Sequence, residues 1–438
     1  MSFDQNADLY KKCKRESGVK RVLQSKLLGN LLIFTLSTVL NKGLNFFVLP
    51  ILTYYLTRED YGYLGFVMSV VTIASIYIGL WPGNFLIAKF SYYGKAEMAR
   101  YMANIFWIVL VTFGLVTAIL LLSQELLFAR FDDHIEVIML IVFYTLFMVC
   151  FNILNTITQL EKNAKKYALL QFFYSISSLG IALLLIIGLH YGWRGKLYAE
   201  MGVLALLALY ALYYFIKEHY LVWDFSKDKL KELFAYLFPM TFHVVGIFLM
   251  VTIDKVLLAR YLPLEAVGLY TIAMTMAMIV NILFDAMMRA WEPYIFEKLN
   301  LGTPDAMHWI FKTMLLYALF IVVVAVVYIV LIPWIFPLMI DAKFQDALAY
   351  IPWLVVAFSL EGLRKPLATF LMHINRVKTM GAVSLLTALV NILLNILLIQ
   401  HYGVMGAVYA TLVAFLLLYL MTIALVKRYY FTKDIAPG

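Results

Sequence analysis

The sequence predicts an all-α polytopic membrane protein, with twelve transmembrane helices in two six-helix lobes related by internal duplication. Three observations lead there: an apolar excess, a one-sided distribution of positive charge, and two motifs that each occur twice. Of 438 residues, 64% are apolar and only 14% charged, against roughly 45–50% and about 25% in soluble proteins. The mean hydropathy is +0.87. A water-facing globule of this composition would expose more apolar surface than a soluble fold can carry.

The elements follow in order along the chain. Residues 1–26 hold Lys11, Lys12, Lys14, Arg15, Lys20, Arg21 and Lys26 and no small-residue cleavage site after a short apolar core, which reads as a retained basic cytoplasmic tail. Apolar stretches of about 20 residues or more then alternate with short polar joints, each able to cross about 30 Å of hydrocarbon at 1.5 Å per residue. The first lobe, 27–217, carries stretches at 27–56, 64–88, 101–122, 135–158, 167–189 and 197–216. A charged cytoplasmic linker follows at 218–232. The second lobe, 233–426, carries stretches at 233–258, 267–288, 309–332, 348–370, 380–399 and 404–426, and a cytoplasmic tail closes the chain at 427–438.

Orientation follows from the 35 Lys and Arg, because positive loops are retained on the cytoplasmic side. With both termini inside, 27 of them fall in cytoplasmic segments, 6 in outer joints, and Lys42 and Lys255 within spans. One span more or fewer would invert every later joint and destroy this asymmetry.

Two motifs recur. Tyr55-Leu56-x-x-Glu59-x-x-Gly62 returns as Tyr261-Leu262-x-x-Glu265-x-x-Gly268, 206 residues later. His190-Tyr191-Gly192-x-x-Gly195-x-x-Tyr198-Ala199 returns as His401-Tyr402-Gly403-x-x-Gly406-x-x-Tyr409-Ala410, 211 residues later. Two pairs at nearly one offset point to duplication, and an even number of spans per half makes the repeats parallel, related by an axis along the membrane normal.

Several function classes are excluded or disfavoured. No Gly-rich phosphate loop ends in Gly-Lys-Ser/Thr, so the chain is no ATPase, and His-Glu-x-x-His, Gly-x-Ser-x-Gly and paired His or Cys metal spacings are absent. Cys13 and Cys150 make neither a disulfide framework nor a Cys-x-x-Cys site. The outer joints are too short for a soluble catalytic domain, which argues against an enzyme, and no cofactor is expected.

Polar side chains inside the spans must face protein or water, since lipid offers no partner. They form stripes at helical spacing: Asn30, Ser37, Asn41 and Asn45 beside Lys42 in span one; Thr145, Asn152, Asn155, Thr156 and Gln159 in span four; Thr271, Thr275, Asn281, Asp285 and Arg289 in span eight; Ser384, Thr387, Asn391 and Asn395 in span eleven. Each stripe lines a wet cavity or joins helices by hydrogen bonds. Lys42 is the strongest cavity candidate, because a mid-span ammonium costs at least about 2.5–3.5 kcal/mol unless water, a counter-ion or a ligand meets it. Asp285 with Arg289 and Glu361 with Arg364 and Lys365 are placed to pair as helix neighbours. Asp254, beside Lys255, is the first acid to consider for coupling to a proton or sodium gradient, with Asp285 and Glu361 after it.

At Leu56-Thr57-Arg58-Glu59-Asp60-Tyr61-Gly62, a second span ending in 85–90, Leu237-Phe238-Pro239, Asp254-Lys255, Ala266-Val267-Gly268-Leu269-Tyr270 and Trp291-Glu292-Pro293, the chain resembles the polysaccharide-flippase branch of the multidrug/oligosaccharidyl-lipid/polysaccharide exporter superfamily, the O-antigen flippase type. The resemblance implies a bacterial inner-membrane protein that turns an undecaprenyl-diphosphate-linked oligosaccharide to the outer leaflet by alternating access. It also implies a partner polymerase of the polysaccharide assembly pathway, membrane lipids as surroundings, and no nucleic-acid partner. On that view Lys42, Arg289, Arg364 and Lys365 draw in the diphosphate, while Asn30, Asn41, Asn45, Asn152, Asn281, Asn391 and Asn395 line the passage for sugars. The rivals are a drug or organic-cation antiporter of the same superfamily, which would need a cavity of acids and aromatics, and a polysaccharide polymerase or ligase, which would carry a large outer loop.

Overall fold

The computed structural model describes residue 44 and residues 47–431, apart from 81, 91–94, 130, 132, 223–224 and 375. Asn30, Asn41, Lys42, Asn45 and the basic tail therefore lie outside the described residues. Every regular element among the described residues is helical. After a helical stretch at 47–55 come α1 (Arg58–Tyr77), α2 (Gly83–Lys89), α3 (Lys95–Leu122), α4 (His134–Leu160), α5 (Ala164–Leu183), α6 (Gly192–Lys217), α7 (Lys227–Tyr261), α8 (Leu264–Leu301), α9 (Pro304–Met339), α10 (Ile351–His373), α11 (Val377–Tyr402) and α12 (Val404–Val426). Among the described residues nine helices are long and apolar enough to cross a membrane, and ten if the pair Ala342–Ala349 and Ile351–His373, bent by 51°, forms one span. The chain is a multi-pass membrane protein.

Two boundaries differ from the apolar pattern. Helix α7 starts at Lys227, inside the charged joint, because Ser226 caps it by accepting from the Lys229 N–H. The twelfth span continues past Val426 as one further turn, Lys427–Phe431. A third difference is larger. The apolar stretch at 64–88 is not one helix but α1 and α2 separated by Ile78–Leu80, where Gly79 and Leu80 have φ of 81° and 55°. Glycine tolerates that backbone without strain. The break frees backbone groups, and the Gly79 N–H regains a partner by donating to Thr112 Oγ1 at 2.9 Å.

The start of α1 is fixed by Thr57-x-x-Asp60, which forms a capping box. Asp60 serves two helices. Its Oδ2 accepts from the Thr57 N–H, and its Oδ1 accepts from the Trp193 N–H at 3.0 Å, in the first turn of α6. The joint before α6 turns through Gly192 at φ 54°, and that before α12 through Gly403 at φ 57°.

The packing of α1 against α8 is among the most extensive in the molecule. It is reciprocal at the 206-residue offset. A Cβ on Gly62 would meet the Leu264 carbonyl oxygen at 1.9 Å, and one on Gly268 would meet the Arg58 carbonyl oxygen at 1.9 Å. Between them Gly65 faces Thr271, 206 residues on, whose Oγ1 would lie 2.1 Å from an added Cβ. Glycine lets helix backbones close to this range in a medium where dispersion, not hydrophobicity, drives helix association.

At the same end the segment after α9 laces the halves together. Arg58 Nε donates to the Lys343 carbonyl, Arg58 Nη1 pairs with Asp346 Oδ2 at 2.9 Å, the Asp341 N–H donates to Thr53 Oγ1 at 3.3 Å, and Lys343 Nζ donates to the Tyr54 carbonyl at 2.8 Å. This is the end whose joints the charge count assigns to the outer side. Further along, α8 loses its cover: the stripe that touches α1 at 264, 268 and 271 continues as exposed Thr275, Met278, Ile282 and Arg289. The helices thus meet closely at one end, and this face of α8 is uncovered beyond it.

Substituting Gly62→Ala or Gly268→Ala overpacks the crossing, a cost of about 1–3 kcal/mol against the closed end. Spin labels at Glu59→Cys and Glu265→Cys, both exposed positions, in a background lacking Cys13 and Cys150, should show a short wild-type distance that shifts to longer values in either variant. Unchanged distance distributions would contradict this role for the crossing.

Candidate functional site

Where α8 loses its cover, charged residues of α8 and α10 meet. Lys365 Nζ pairs with Asp285 Oδ1 at 2.5 Å and donates to Asn281 Oδ1 at 2.9 Å, bridging the two helices. Beside it on α10, Arg364 forks back onto Glu361, one turn earlier, donating through Nε and Nη2 at 2.7 Å each. Arg289 is exposed on the open stripe of α8, and none of the ion pairs among the described residues includes it. One helix-neighbour pair forms, Glu361 with Arg364, and the other does not. Asp285 reaches across to Lys365 instead of along α8 to Arg289, and Glu361 takes Arg364 instead of Lys365.

A reason lies in the medium. Side-chain exposure of Lys365, Arg364 and Glu361 is 16%, 15% and 17%, so each charge is taken largely from water and needs a close partner. Two of the expected free cations are therefore already neutralised, and only Arg289 adds positive charge to this wall. The Lys42 contribution lies outside the described residues.

A second cluster centres on Asp254 of α7, which is wholly buried. Tyr270 OH and Thr411 Oγ1 donate to its Oδ2 at 2.6 and 2.7 Å, and Asn395 Nδ2 donates to Oδ1 at 2.7 Å. Asn395 Nδ2 also lies 3.2 Å from Asn391 Oδ1, and Thr411 Oγ1 lies 3.0 Å from the Ala407 carbonyl. Asn391 and Asn395, expected to line a wet passage, are instead fully buried and surround this carboxylate. Two of their atoms, Asn391 Nδ2 and Asn395 Oδ1, have no hydrogen-bond partner. Tyr270 and Thr411 were not among the sequence candidates. Their signal was positional, since Tyr270 follows Gly268 and Thr411 follows Tyr409-Ala410, both ends of repeated motifs.

The third feature is a cavity of about 330 Å³ between the α1–α2 break, α4 and α5, on whose wall Asn152 stands. Among the described residues no group of three or more His, Cys, Asp or Glu is placed to hold a metal ion.

A profile of the family described as "Polysaccharide biosynthesis protein" matches residues 27–298, more than half of the chain. The chain belongs to this family. Two relatives from Haemophilus influenzae, "Lsg locus putative protein 1" and an "Uncharacterized membrane protein", are each 23% identical, over 63% and 62% of this chain and 67% and 65% of their own lengths. The chain thus spans about two-thirds of the relatives it matches. Among solved structures the fold is similar to "Lipid II flippase MurJ, inward closed conformation", with a TM-score of 0.71 and 16% identity over 90% of this chain and 87% of that one. It is also similar to an inward-facing multidrug resistance MATE family transporter of the MOP superfamily, with a TM-score of 0.69 and 15% identity over 89% and 96%. This member of the family therefore shares the helical fold of these two proteins.

Removing one partner of the α8–α10 bridge leaves the other charge short of solvent, a loss of about 1–3 kcal/mol. Lys365→Met should lower the thermal unfolding midpoint of the detergent-purified protein, and adding Asp285→Asn to it should recover part of the loss. Independent, additive effects would show that the bridge contributes nothing.

Proposed function

We propose that the chain is a flippase that moves an undecaprenyl-diphosphate-linked oligosaccharide, an O-antigen or other polysaccharide repeat unit, from the cytoplasmic to the outer leaflet of a bacterial inner membrane by alternating access. The observation that carries this reading is the cluster of charged side chains that α8 and α10 bring together beyond the α1–α8 crossing. Family membership supports it. A sugar head with two phosphates cannot enter hydrocarbon without losing its hydrogen bonds, so it requires a hydrated passage with cationic groups. Arg289 offers an unpaired guanidinium, and Lys365 is held by a carboxylate that a diphosphate can displace. An exchange of Asp285 for phosphate keeps the ammonium paired throughout, which avoids an isolated charge in low dielectric.

On this reading the architecture is twelve spans in two parallel six-span repeats, with both termini cytoplasmic. The reciprocal contacts of Gly62 and Gly268 support the repeat, because they relate positions at the same offset as the motifs. The lipid tail stays in the bilayer while one lobe rocks against the other about the crossing. A polymerase that consumes the delivered repeat unit is the expected partner.

The Asp254 cluster is the expected site of coupling to sodium or protons. Its oxygens come from a carboxylate, a threonine, two asparagine amides and a helix carbonyl, a hard donor set that suits a small cation. The unpaired Asn395 Oδ1 is one such oxygen with nothing to bond.

Complementation of a flippase-deficient strain tests the transport reading. Wild type should restore surface glycan, while Arg289→Ala, Lys42→Ala and Lys365→Gln at equal protein levels should accumulate lipid-linked repeat units on the inner leaflet. Full activity of all three variants would overturn the cationic passage. For coupling, sodium should raise the unfolding midpoint of the purified protein where potassium does not, by mass action on the folded state. Asp254→Asn and Thr411→Val should lose that response, and a response retained in both would reject the site.

A further inference from the structure

The cavity beside the α1–α2 break has a chemistry unlike that of the charged wall. Its polar lining consists of Asn152, Asn155, Thr156 and Gln159 from α4, with Tyr167 and Gln171 from α5 and Ser75 from α1. Among the described residues not one of the lining side chains is a carboxylate, an ammonium, a guanidinium or an imidazole. Pro82, Ile87 and Ile153 supply an apolar wall beside them. The elements that form it explain its shape. The backbone break at Gly79 ends α1, Gly83 begins α2 close to α4 with 3.3 Å left between an added Cβ and Thr156 Oγ1, and the space between them opens toward α5.

About 330 Å³ is an order of magnitude more than one water occupies and falls in the range of small-molecule sites. Asn155 is 6% exposed, and its Oδ1 has no hydrogen-bond partner. A buried acceptor left unpaired is unfavourable, so this wall has an unmet demand for a donor. Thr156 Oγ1 already donates to the Asn152 carbonyl, which leaves its oxygen as an acceptor too.

We infer that this cavity is a saccharide subsite that takes the uncharged, hydroxyl-bearing part of the substrate, separately from the anionic part. Amides present a donor and an acceptor side by side, as hydroxyls do, and so pair with sugar edges without demanding a charge. A phosphate finds no cation here, and an organic cation finds no carboxylate. The flat carbon face of a pyranose fits the apolar wall and the Tyr167 ring. The inference rests on the flippase reading above and adds to it a division of labour: sugar hydroxyls are read in the first half of the chain, phosphate charge on α8 and α10 of the second. The cavity lies at the end of the bundle whose joints the charge count assigns to the cytoplasm, the side from which a lipid-linked saccharide would enter.

Equilibrium binding of two radiolabelled probes to the detergent-purified full chain tests the division. One probe is a free neutral oligosaccharide and the other inorganic pyrophosphate. Asn152 and Gln159 are exposed on α4, so Asn152→Leu and Gln159→Leu leave the packing of α4 intact. Each should weaken saccharide binding by about tenfold, the scale of one lost hydrogen bond, and leave pyrophosphate binding unchanged. Asn155→Leu should do the same, and Lys365→Gln should do the reverse. Saccharide binding indifferent to both α4 variants overturns the inference, as does equal loss of both probes. Wild-type protein that binds the saccharide but not pyrophosphate counts against the lipid-diphosphate reading instead, so the two failures are distinguishable.

Discussion

A polar side chain that crosses hydrocarbon must bring its partner with it, because nothing in the lipid can replace water. That constraint sorts the ionisable groups of this chain into sets with different chemistry. Asp254 is wholly enclosed and meets three donors from α8, α11 and α12. Lys365, Asp285, Arg364 and Glu361 are partly exposed and close their charges pairwise. Arg289 is exposed on α8 and belongs to none of the ion pairs among the described residues. The amides beside the α1–α2 break form a fourth set with no charge at all. On the flippase reading proposed above, each set would meet a different part of an amphipathic anionic glycolipid or its coupling ion.

The second dependence is geometric. Gly62 and Gly268 bring α1 and α8 to backbone contact at one end only, and the polar latch of Arg58, Asp341, Lys343 and Asp346 stands over that contact. Side chains larger than hydrogen at these positions would hold the two helices apart. On the alternating-access reading proposed above, the crossing would act as a pivot that is tight when this end is shut, while the latch is made of exposed ion pairs and backbone hydrogen bonds that exchange with water at little net cost. On the alternating-access reading, opening that end means separating the glycine faces, releasing the latch and parting the buried apolar residues beside it, among them Leu56, Tyr61, Leu264 and Phe344.

Hydropathy and charge made the helices legible, since length and apolarity alone define a span and the Lys/Arg asymmetry orders the joints. The glycines at the crossing were legible as well, because Gly62 and Gly268 sit at matching places in a repeated motif. The break at Gly79 was not, although Gly79 and Pro82-Gly83 stood in the sequence; a continuous apolar run masks a change of backbone direction. Pairing was the least legible. Spacing put Asp285 with Arg289, but α10 brings Lys365 to within 2.5 Å, and no periodicity within one helix reports what a neighbouring helix presents. For the same reason the Asn stripe of α11 read as a wet face: helical spacing shows that Asn391 and Asn395 share a side, not that the side is turned to a buried carboxylate.

Placement of Tyr270 joins the Asp254 cluster, proposed above as the coupling site, to the α1–α8 crossing. Its hydroxyl donates to Asp254, and two residues before it on α8 stands Gly268, packed on the Arg58 carbonyl of α1. A cation entering among the oxygens around Asp254 competes for the lone pairs that Tyr270 and Thr411 now use, so it must displace or reorient at least one of those donors. Because α8 is a rigid helix across both positions, such a shift is transmitted to the crossing without any intervening loop. Coupling of this kind is reciprocal: if cation binding favours one arrangement of the crossing, then opening the crossing changes cation affinity by the same factor. A hundredfold bias corresponds to about 2.7 kcal/mol, which is the scale of one or two charge-assisted hydrogen bonds. On the coupling reading proposed above, the tyrosine bridge between Asp254 and α8 would be sufficient in energy, as well as in position, to let an ion gradient set which end of the bundle is open.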